Sequence, residues 1–257
     1  MFFKKAIVRR PPKSFPLAYQ GAPDHAAPDY DLAIQQHDAY IAALKECGCE
    51  VTVLPPVENL IKSVFVEDPV VITPKGAIIT NPGLTIRNPE KDAMLPTIKE
   101  LFDDDHIAYI ELPGTLEGGD VMMVEDHFYV GKSNRTNQMG VDQFIKILAG
   151  WGIKCEEVPL TTVLHLKTGA NYLDNNRMIV SGEFIDKPIF DSYDKIIVPD
   201  EEMNAANCLW VNETIIVPKG YPTMLEAMQN LGYKTIVVDI SEYEKLNGGL
   251  SCLSVRF

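Results

Sequence analysis

The residues best suited to chemistry form a spaced series of polar positions. Glu67, Glu117, His165, Cys208 and Cys252 follow one another at separations of 50, 48, 43 and 44 residues. A cysteine thiolate is a strong nucleophile, a histidine transfers protons near neutral pH, and carboxylates hold planar cations. Together these residue types predict attack of a thiolate on an electron-poor carbon that belongs to a cationic substrate.

Cys252 is the predicted nucleophile. It lies five residues before the end of the sequence and follows two adjacent glycines, Gly248 and Gly249. A segment so near a terminus ordinarily frays. We therefore expect the preceding chain to hold this thiol in a pocket, although a cysteine paired with a distant histidine is a weak signal by itself.

His165 is the candidate general acid and base. It stands between apolar neighbours in Val163-Leu164-His165-Leu166, a pattern that predicts a buried strand. A histidine in such a strand has two interpretations. It is either a hydrogen-bonded core residue or a proton-transfer group that works with Cys252.

Two acidic motifs lie in stretches where charge is costly. Glu67-Asp68 interrupts an apolar segment predicted to be a strand over residues 63–72, and Glu117 opens a Glu-Gly-Gly-Asp motif. The first motif fits either an ion pair with an internal arginine or bidentate recognition of a substrate guanidinium. The second fits either a simple turn or a site where glycine permits close approach of the backbone.

Two arginines could bind a carboxylate group of the substrate. Arg87 and Arg135 each follow residues typical of turns, and a guanidinium binds a carboxylate through two parallel hydrogen bonds. The alternative for both is an ordinary surface arginine.

Composition excludes several classes of function. The chain has 257 residues, 36 acidic against 23 basic, and a net charge of −13. This charge argues against binding of nucleic acid or anionic membranes, and no run of about 18 apolar residues predicts a transmembrane helix. We expect a small-molecule substrate instead.

The five cysteines predict the compartment. They are few for this length, and the N-terminal sequence reads as a strand without a secretory signal, so we expect free thiols in the cytoplasm. Cys47 and Cys49 lack a second pair of ligands with zinc-site spacing. No metal site is therefore predicted.

The pattern of elements predicts a repeated α/β architecture. Helices are expected near residues 31–47, 91–102, 137–149 and 223–230, with two or three short strands between them. Polar positions recurring every 43 to 50 residues are typical of a propeller with a central site. The Pro- and Ala-rich loop at residues 11–30 is either a lid or a solvated connector.

Six motifs, in order along nearly the whole chain, resemble the dimethylarginine dimethylaminohydrolase family of the guanidino-modifying (pentein) superfamily. They are Phe65-Val66-Glu67-Asp68, Leu116-Glu117-Gly118-Gly119-Asp120, Gly131 to Asn137, Leu164-His165-Leu166-Lys167-Thr168, Val198-Pro199-Asp200 with Ala206-Asn207-Cys208, and Gly249-Leu250-Ser251-Cys252. The resemblance implies one catalytic domain over residues 1–257. Its fold would be a five-bladed α/β propeller of pseudo-repeated ββαβ units around a central active site.

The resemblance also implies a reaction and a role for each residue. N-omega-methylated arginine would be hydrolysed to citrulline and methylamine or dimethylamine through a covalent cysteine adduct, without a metal or organic cofactor. The implied catalytic residues are Cys252 as nucleophile, His165 as acid and base and Glu117 as its orienting partner; the implied substrate-binding residues are Leu17 in the lid, Glu67, Asp68, Arg87 and Arg135. Propellers of this kind often dimerise, so a homodimer is considered.

Two positions bear on the choice of substrate. Lys167 stands where arginine deiminases and amidinotransferases carry Asp, which leaves room for N-methyl groups on one side of the guanidinium. Lys62 stands where the family usually has an Asp that helps bind the α-ammonium group. At 4 Å, a cation there would repel an ammonium by about 4 kcal/mol. The alternative is therefore a cysteine-dependent, deiminase-type hydrolase of another guanidino or ureido compound.

Overall fold

Five sheets of three strands each share one topology. In each sheet, the central strand pairs antiparallel with one neighbour and parallel with the other. The computed structural model describes residues 2–19 and 26–257, and the account of the fold refers to these residues.

The strands are β1 (Lys5–Arg9), β2 (Glu50–Leu54), β3 (Val70–Thr73), β4 (Gly76–Ile79), β5 (Ile107–Tyr109), β6 (Val121–Val124), β7 (His127–Lys132), β8 (Lys154–Pro159), β9 (Ala170–Tyr172), β10 (Arg177–Val180), β11 (Asp194–Ile197), β12 (Leu209–Val211), β13 (Thr214–Pro218), β14 (Lys234–Val238) and β15 (Val255–Arg256). The α-helices are α1 (Tyr30–Glu46), α2 (Pro89–Leu101), α3 (Gln138–Gly150), α4 (Leu166–Gly169), α5 (Pro222–Asn230) and α6 (Ser241–Glu244). The sheets have the strand orders β15-β1-β2, β3-β4-β5, β6-β7-β8, β9-β10-β11 and β12-β13-β14.

Burial explains why the central strands are continuous apolar runs. Strands β4 and β13 are buried along their whole length, whereas β2, β11 and β14 expose some residues and half-bury others. A parallel neighbour requires a crossover connection, and helices α1, α2, α3 and α5 supply four of the five. Each sheet with its crossover is thus one unit of the ββαβ type, and in the unit of β9, β10 and β11 two 3-10 turns replace the α-helix.

The described chain forms two compact units. The first, Glu67–Ala206, contains three sheets, and its core includes Phe128, Phe144 and Leu148. The second consists of Phe2–Val66 with Asn207–Phe257 and contains the other two sheets.

Local sequence signals account for several boundaries. Helix α1 begins after Asp29, whose carboxylate accepts the backbone N–H of Leu32 at 2.8 Å, and α3 begins after Asn137 in the same way. The hairpin between β12 and β13 turns at Asn212 and Glu213, which have φ angles of 49° and 71°. Two residues with positive φ are typical of a tight two-residue hairpin.

Two predicted strands are wrong in extent or kind. Of residues 63–72, only residues 70–72 belong to a strand, the start of β3, and the preceding residues form turns. Residues 164–166 are not a strand either, because the chain bends up to His165 and then enters α4. Both segments are apolar because they are buried, and hydrophobicity alone does not separate a strand from a buried turn.

Among the described residues, none of the helices has the length and hydrophobicity that a membrane crossing requires. The cytoplasmic location stays a prediction. Of the loop at residues 11–30, residues 20–25 lie outside the described part of the chain.

Replacing Tyr40 with Phe should destabilise the second unit. The buried Tyr40 hydroxyl donates to the carbonyl of Leu250 at 2.8 Å and lies 2.6 Å from Ser254 Oγ, so it fastens helix α1 to the C-terminal segment. Removing it leaves buried acceptors without this donor, and we expect a loss of about 1–3 kcal/mol in the free energy of unfolding.

Urea unfolding followed by circular dichroism measures this change. Tyr109→Phe, at a more exposed tyrosine in β5, is the matched control and should change the unfolding free energy by less than about 0.5 kcal/mol. Equal effects of the two substitutions would contradict the role given to Tyr40.

Candidate active site

The two acidic motifs are joined through the backbone of the first unit. The N–H of Gly118 donates to the carbonyl of Asp68 at 3.0 Å, and the N–H of Gly119 donates to Asp68 Oδ1 at 3.2 Å. A Cβ atom on Gly118 would collide with the carbonyl oxygen of Glu67. The glycines of the Glu-Gly-Gly-Asp motif therefore serve close approach of the backbone, one of the two purposes that the sequence left open.

His165 and Glu117 form a buried pair. His165 Nε2 lies 2.7 Å from Glu117 Oε2, and both side chains are nearly inaccessible to solvent. The other carboxylate oxygen of Glu117 accepts the N–H of Gly83 at 3.1 Å. A Cβ atom on Gly119 would lie 2.6 Å from His165 Nδ1, so the glycine also makes room for the ring.

Arg87 is buried among carboxylates. Its Nη1 donates to Asp68 Oδ2 at 2.7 Å, and its Nε and Nη2 donate to Glu90, with Nη2 at 2.7 Å from Oε2. Nη1 also lies 3.9 Å from Glu117 Oε2. The ion pair with an internal arginine, one of the two interpretations of Glu67-Asp68, is thus present at Asp68.

The charges in this cluster set the protonation of His165. Burial alone would lower the pKa of the imidazole, but its hydrogen bond to the carboxylate of Glu117 and the charges of Asp68 and Asp120 outweigh that effect and raise the pKa to about 9. Burial alone would raise the pKa of Asp68, yet Arg87 and His165 hold it below its usual value. His165 is therefore an imidazolium at neutral pH.

Asp68, Glu117 and His165 are also the one group in the described chain that offers three ligand atoms to a metal ion, all within 4.8 Å of one another. The guanidinium of Arg87 already contacts Asp68 and approaches Glu117. A divalent cation would have to compete with this fixed positive charge and with the imidazolium.

Glu67 is neutralised by Lys167. Lys167 Nζ lies 2.5 Å from Glu67 Oε1, and both side chains are largely buried. Lys167 thus places a positive charge two residues after His165, at the position that corresponds by resemblance to an Asp of arginine deiminases.

Arg135 is half-buried and lies in the turn after β7. Its N–H donates to Ser133 Oγ at 3.0 Å, and its carbonyl packs against Gly83, whose Cβ position would lie 2.5 Å from that oxygen. Gly83 also donates to Glu117, so Arg135 and Glu117 contact the same short segment.

Cys252 lies in the second unit on a short 3-10 turn, Ser251–Leu253, and is half-buried. The side chain of Asn207 fixes this turn, because its Oδ1 accepts the N–H of Ser251 at 2.8 Å and its Nδ2 donates to Ser251 Oγ at 3.1 Å. Gly249 packs directly on Asn207. The expectation that the preceding chain holds this segment is confirmed within the unit.

Leu17 also lies in the second unit, on the 3-10 turn Phe15–Ala18, and 76% of its surface is exposed. Its neighbour Phe15 is fully buried against Tyr243, with ring centroids 5.3 Å apart. The turn therefore presents Leu17 to solvent on an anchored base. Its role as part of a lid stays a prediction.

Sequence reasoning missed three residues that shape these groups. Glu90 holds Arg87, Asn207 holds the turn of Cys252, and Asp120 is a third buried carboxylate near the imidazole. Asp120 and Asn207 stood inside the motifs, yet nothing in their residue type distinguished them. Glu90 could have been predicted as a partner of Arg87, because it follows Arg87 at the i,i+3 spacing of helical ion pairs.

Comparison with known proteins identifies the family. The family described as "N,N dimethylarginine dimethylhydrolase, eukaryotic" matches residues 25–201. The N(G),N(G)-dimethylarginine dimethylaminohydrolase of Pseudomonas aeruginosa is 48% identical over 99% of this chain and 100% of its own length. The chain belongs to the dimethylarginine dimethylaminohydrolase family. The enzyme of the same name from Streptomyces coelicolor is 35% identical over 98% of this chain and 96% of its own length.

Solved structures of the dimethylarginine dimethylaminohydrolase family share the fold. A cysteine-to-serine mutant of the Pseudomonas aeruginosa enzyme, complexed with citrulline, superposes with a TM-score of 0.96 at 46% identity over 100% of both chains. A histidine-to-glycine variant carrying an adduct with S-methyl-L-thiocitrulline gives the same values. The predicted fold class, an α/β propeller of five ββαβ units, is confirmed.

The stability of the protein should depend on pH through His165. A pKa raised from 6.5 to about 9 in the folded state adds stability that is complete below pH 6.5 and is lost as the pH rises through 9. The expected loss between pH 6 and pH 9.5 is about 3 kcal/mol.

Urea unfolding of the wild type and of His165→Gln at matched pH values measures this loss, because glutamine can still donate to Glu117 but does not titrate. Urea is preferred to guanidinium, which resembles the expected ligand. Parallel pH profiles for the two proteins would contradict the raised pKa.

Proposed function

We propose that this protein hydrolyses N-omega-methylated arginine to citrulline and methylamine or dimethylamine. The observation that carries the proposal is the buried pair of His165 Nε2 and Glu117 Oε2, which lie 2.7 Å apart beside Asp68. The leaving amine needs a proton at neutral pH, and the raised pKa of His165 fits this residue to supply one. Relatives named for the same reaction match the chain over nearly its whole length.

The proposed first step uses the thiolate of Cys252. Its sulfur attacks the central carbon of the substrate guanidinium, the bond to the methylated nitrogen breaks, and His165 gives its proton to the departing amine. A covalent thiouronium adduct remains. In the second step neutral His165 takes one proton from water while the water oxygen attacks the adduct carbon. The C–S bond then breaks, the sulfur leaves as the thiolate of Cys252, and the remaining hydroxyl proton passes to solvent to give citrulline.

We propose that Asp68, together with Glu67, holds the guanidinium of the substrate. Asp68 already accepts from one planar cation, Arg87, and this contact supports a guanidinium-binding role for its carboxylate. Lys167 pairs with Glu67 Oε1 and so weakens, without removing, the second anionic contact. A substrate whose guanidinium carries methyl groups in place of some N–H donors fits this pattern.

Arg135 and Arg87 are the proposed ligands of the substrate carboxylate, and Leu17 is the proposed lid contact. Three N–H groups of Arg87 donate to Glu90 and Asp68, which leaves two of its five donors for a substrate. Arg135 is more exposed and is the stronger candidate. We also propose that residues 1–257 act as one catalytic domain, since the relatives match at full length.

A second candidate function is hydrolysis of another guanidino or ureido compound that lacks an α-ammonium group. Lys62 motivates it. The half-buried side chain stands where the resemblance expects an Asp, and a lysine repels an ammonium at short range.

Turnover assays decide between these substrates. Release of citrulline and amine should be measured with asymmetric dimethylarginine, monomethylarginine, arginine and guanidino acids. We expect the methylated arginines to be hydrolysed, and Cys252→Ser to reduce kcat by at least about 10³-fold. Cys155→Ser, at a half-buried cysteine with no assigned role, is the matched control and should keep wild-type kcat.

Two outcomes would reject the proposal. No turnover of any methylated arginine would remove the substrate assignment. Wild-type activity of Cys252→Ser would remove the nucleophile.

The Lys62→Asp variant tests the amino-acid end of the substrate. If Lys62 faces the α-ammonium, the substitution should lower KM for dimethylarginine by about tenfold or more, because a repulsion becomes an attraction. KM for a guanidino acid without the ammonium should not fall. Equal KM values of Lys62→Asp and the wild type for dimethylarginine would show that Lys62 does not control this end.

A further inference from the structure

Asp120 joins three motifs at one buried point. The residue is fully buried, and its Oδ2 accepts the hydroxyl of Ser133 at 2.6 Å and the hydroxyl of Thr136 at 2.6 Å. Its Oδ1 accepts the backbone N–H of Leu166 at 2.9 Å. The proposed mechanism assigns no role to Asp120, Ser133 or Thr136.

Each of these three donors leads to a residue with a proposed role. Leu166 directly follows His165 in the chain. Thr136 Oγ1 accepts the backbone N–H of Glu117 at 3.2 Å. The third donor, Ser133, leads to the carboxylate-binding arginine, because its Oγ accepts the backbone N–H of Arg135 at 3.0 Å.

The pattern of donors requires a carboxylate at position 120. Ser133 Oγ already accepts two backbone N–H groups, those of Arg135 and Thr136, so its own hydrogen must go to an acceptor. If position 120 were an asparagine, its amide NH₂ group would face one of the donors that now contact Asp120, and it could not accept that hydrogen bond. A Cβ atom on Gly131 would lie 2.9 Å from Asp120 Oδ1, so the site is also closely packed.

Electrostatics support this arrangement. Burial raises the pKa of Asp120, while the charge of His165 and the three donors that hydrogen-bond to Asp120 oppose that rise. In return, Asp120 contributes to the raised pKa of His165 without touching the ring.

We infer that Asp120 is a positioning residue that fixes the proton-transfer pair and the carboxylate-binding arginine in one frame. Through Leu166 and Thr136 it sets the backbone of His165 and Glu117, and through Ser133 it sets the turn of Arg135. This inference rests on the proposed function, because the roles of these residues come from there. A purely structural aspartate would affect stability alone.

Substitutions of Thr136 and Ser133 separate the two effects, because each removes one of the links between Asp120 and a residue with a proposed role. Thr136→Val removes the link to Glu117 and should lower kcat for dimethylarginine by about 10²-fold with little change in KM, since misplacement of a catalytic group by about 1 Å costs that much. Ser133→Ala removes the link to Arg135 and should raise KM by about tenfold with little change in kcat. Asp120→Asn should show both effects.

Decarboxylated dimethylarginine is the second substrate in this test. It keeps the methylated guanidinium but has no carboxylate for Arg135, so Ser133→Ala should leave its KM unchanged while Thr136→Val still lowers its kcat. Asp126→Asn makes the same substitution in an exposed turn and should behave as the wild type.

An NMR measurement keeps the inference separate from the proposed function. In Asp120→Asn, the amide proton resonance of Leu166 should move by several tenths of a ppm, whether or not the wild type hydrolyses methylarginine. If the wild type has no such activity, the proposed function fails. The shift of the Leu166 resonance then tests by itself whether Asp120 accepts the N–H of Leu166.

Three results would overturn the role of Asp120. They are an unchanged Leu166 resonance in Asp120→Asn, wild-type kcat and KM in that variant, or the same kinetic pattern in Ser133→Ala and Thr136→Val. If Asp120→Asn does not fold, Ser133→Ala and Thr136→Val decide the question, because the same kinetic pattern in both would overturn the role of Asp120.

Discussion

A carboxylate taken out of water must be compensated by a cation or by hydrogen-bond donors, and the first unit buries several of them around one imidazole. Arg87 compensates Asp68 and Glu90, while His165 compensates Glu117. Because the imidazole is part of this balance, its pKa lies well above the usual value for histidine. The same charges that make the site costly to bury therefore favour the protonated imidazole that the proposed acid role requires.

The backbone around the cluster is arranged to let these groups approach one another. Gly118 and Gly119 leave space for the carbonyl of Glu67 and for the ring of His165, where any side chain would collide. The carboxylate of Asp120 then ties the turn after β7 to the start of α4. The segments that carry Glu117, His165 and Arg135 are thus fixed by hydrogen bonds between turns, which a sheet ladder alone would not provide.

The sequence predicted most helices and central strands well because the signals for them are local, whereas the propeller followed from the spacing of polar positions and from the resemblance over the whole chain. Helix starts at capping residues and buried central strands follow from residue types within a few positions of one another. It failed where burial without regular structure gave the same apolar pattern, as in the bends that end at His165, where Glu183 accepts the N–H of Thr162 at 2.8 Å. Partners such as Glu90 for Arg87 and Asn207 for Ser251 depend on three-dimensional contacts, and residue type alone does not reveal them.

The charge state of His165 is the most direct test of this account. Nitrogen-15 NMR of the imidazole rings, titrated from pH 5 to pH 10 and assigned with His165→Gln, reports the pKa of each histidine in the folded protein. The account predicts a pKa of about 9 for His165 and a lower pKa in Glu117→Gln, which removes the carboxylate hydrogen-bonded to the ring. A pKa at or below 6.5 in the wild type would contradict it.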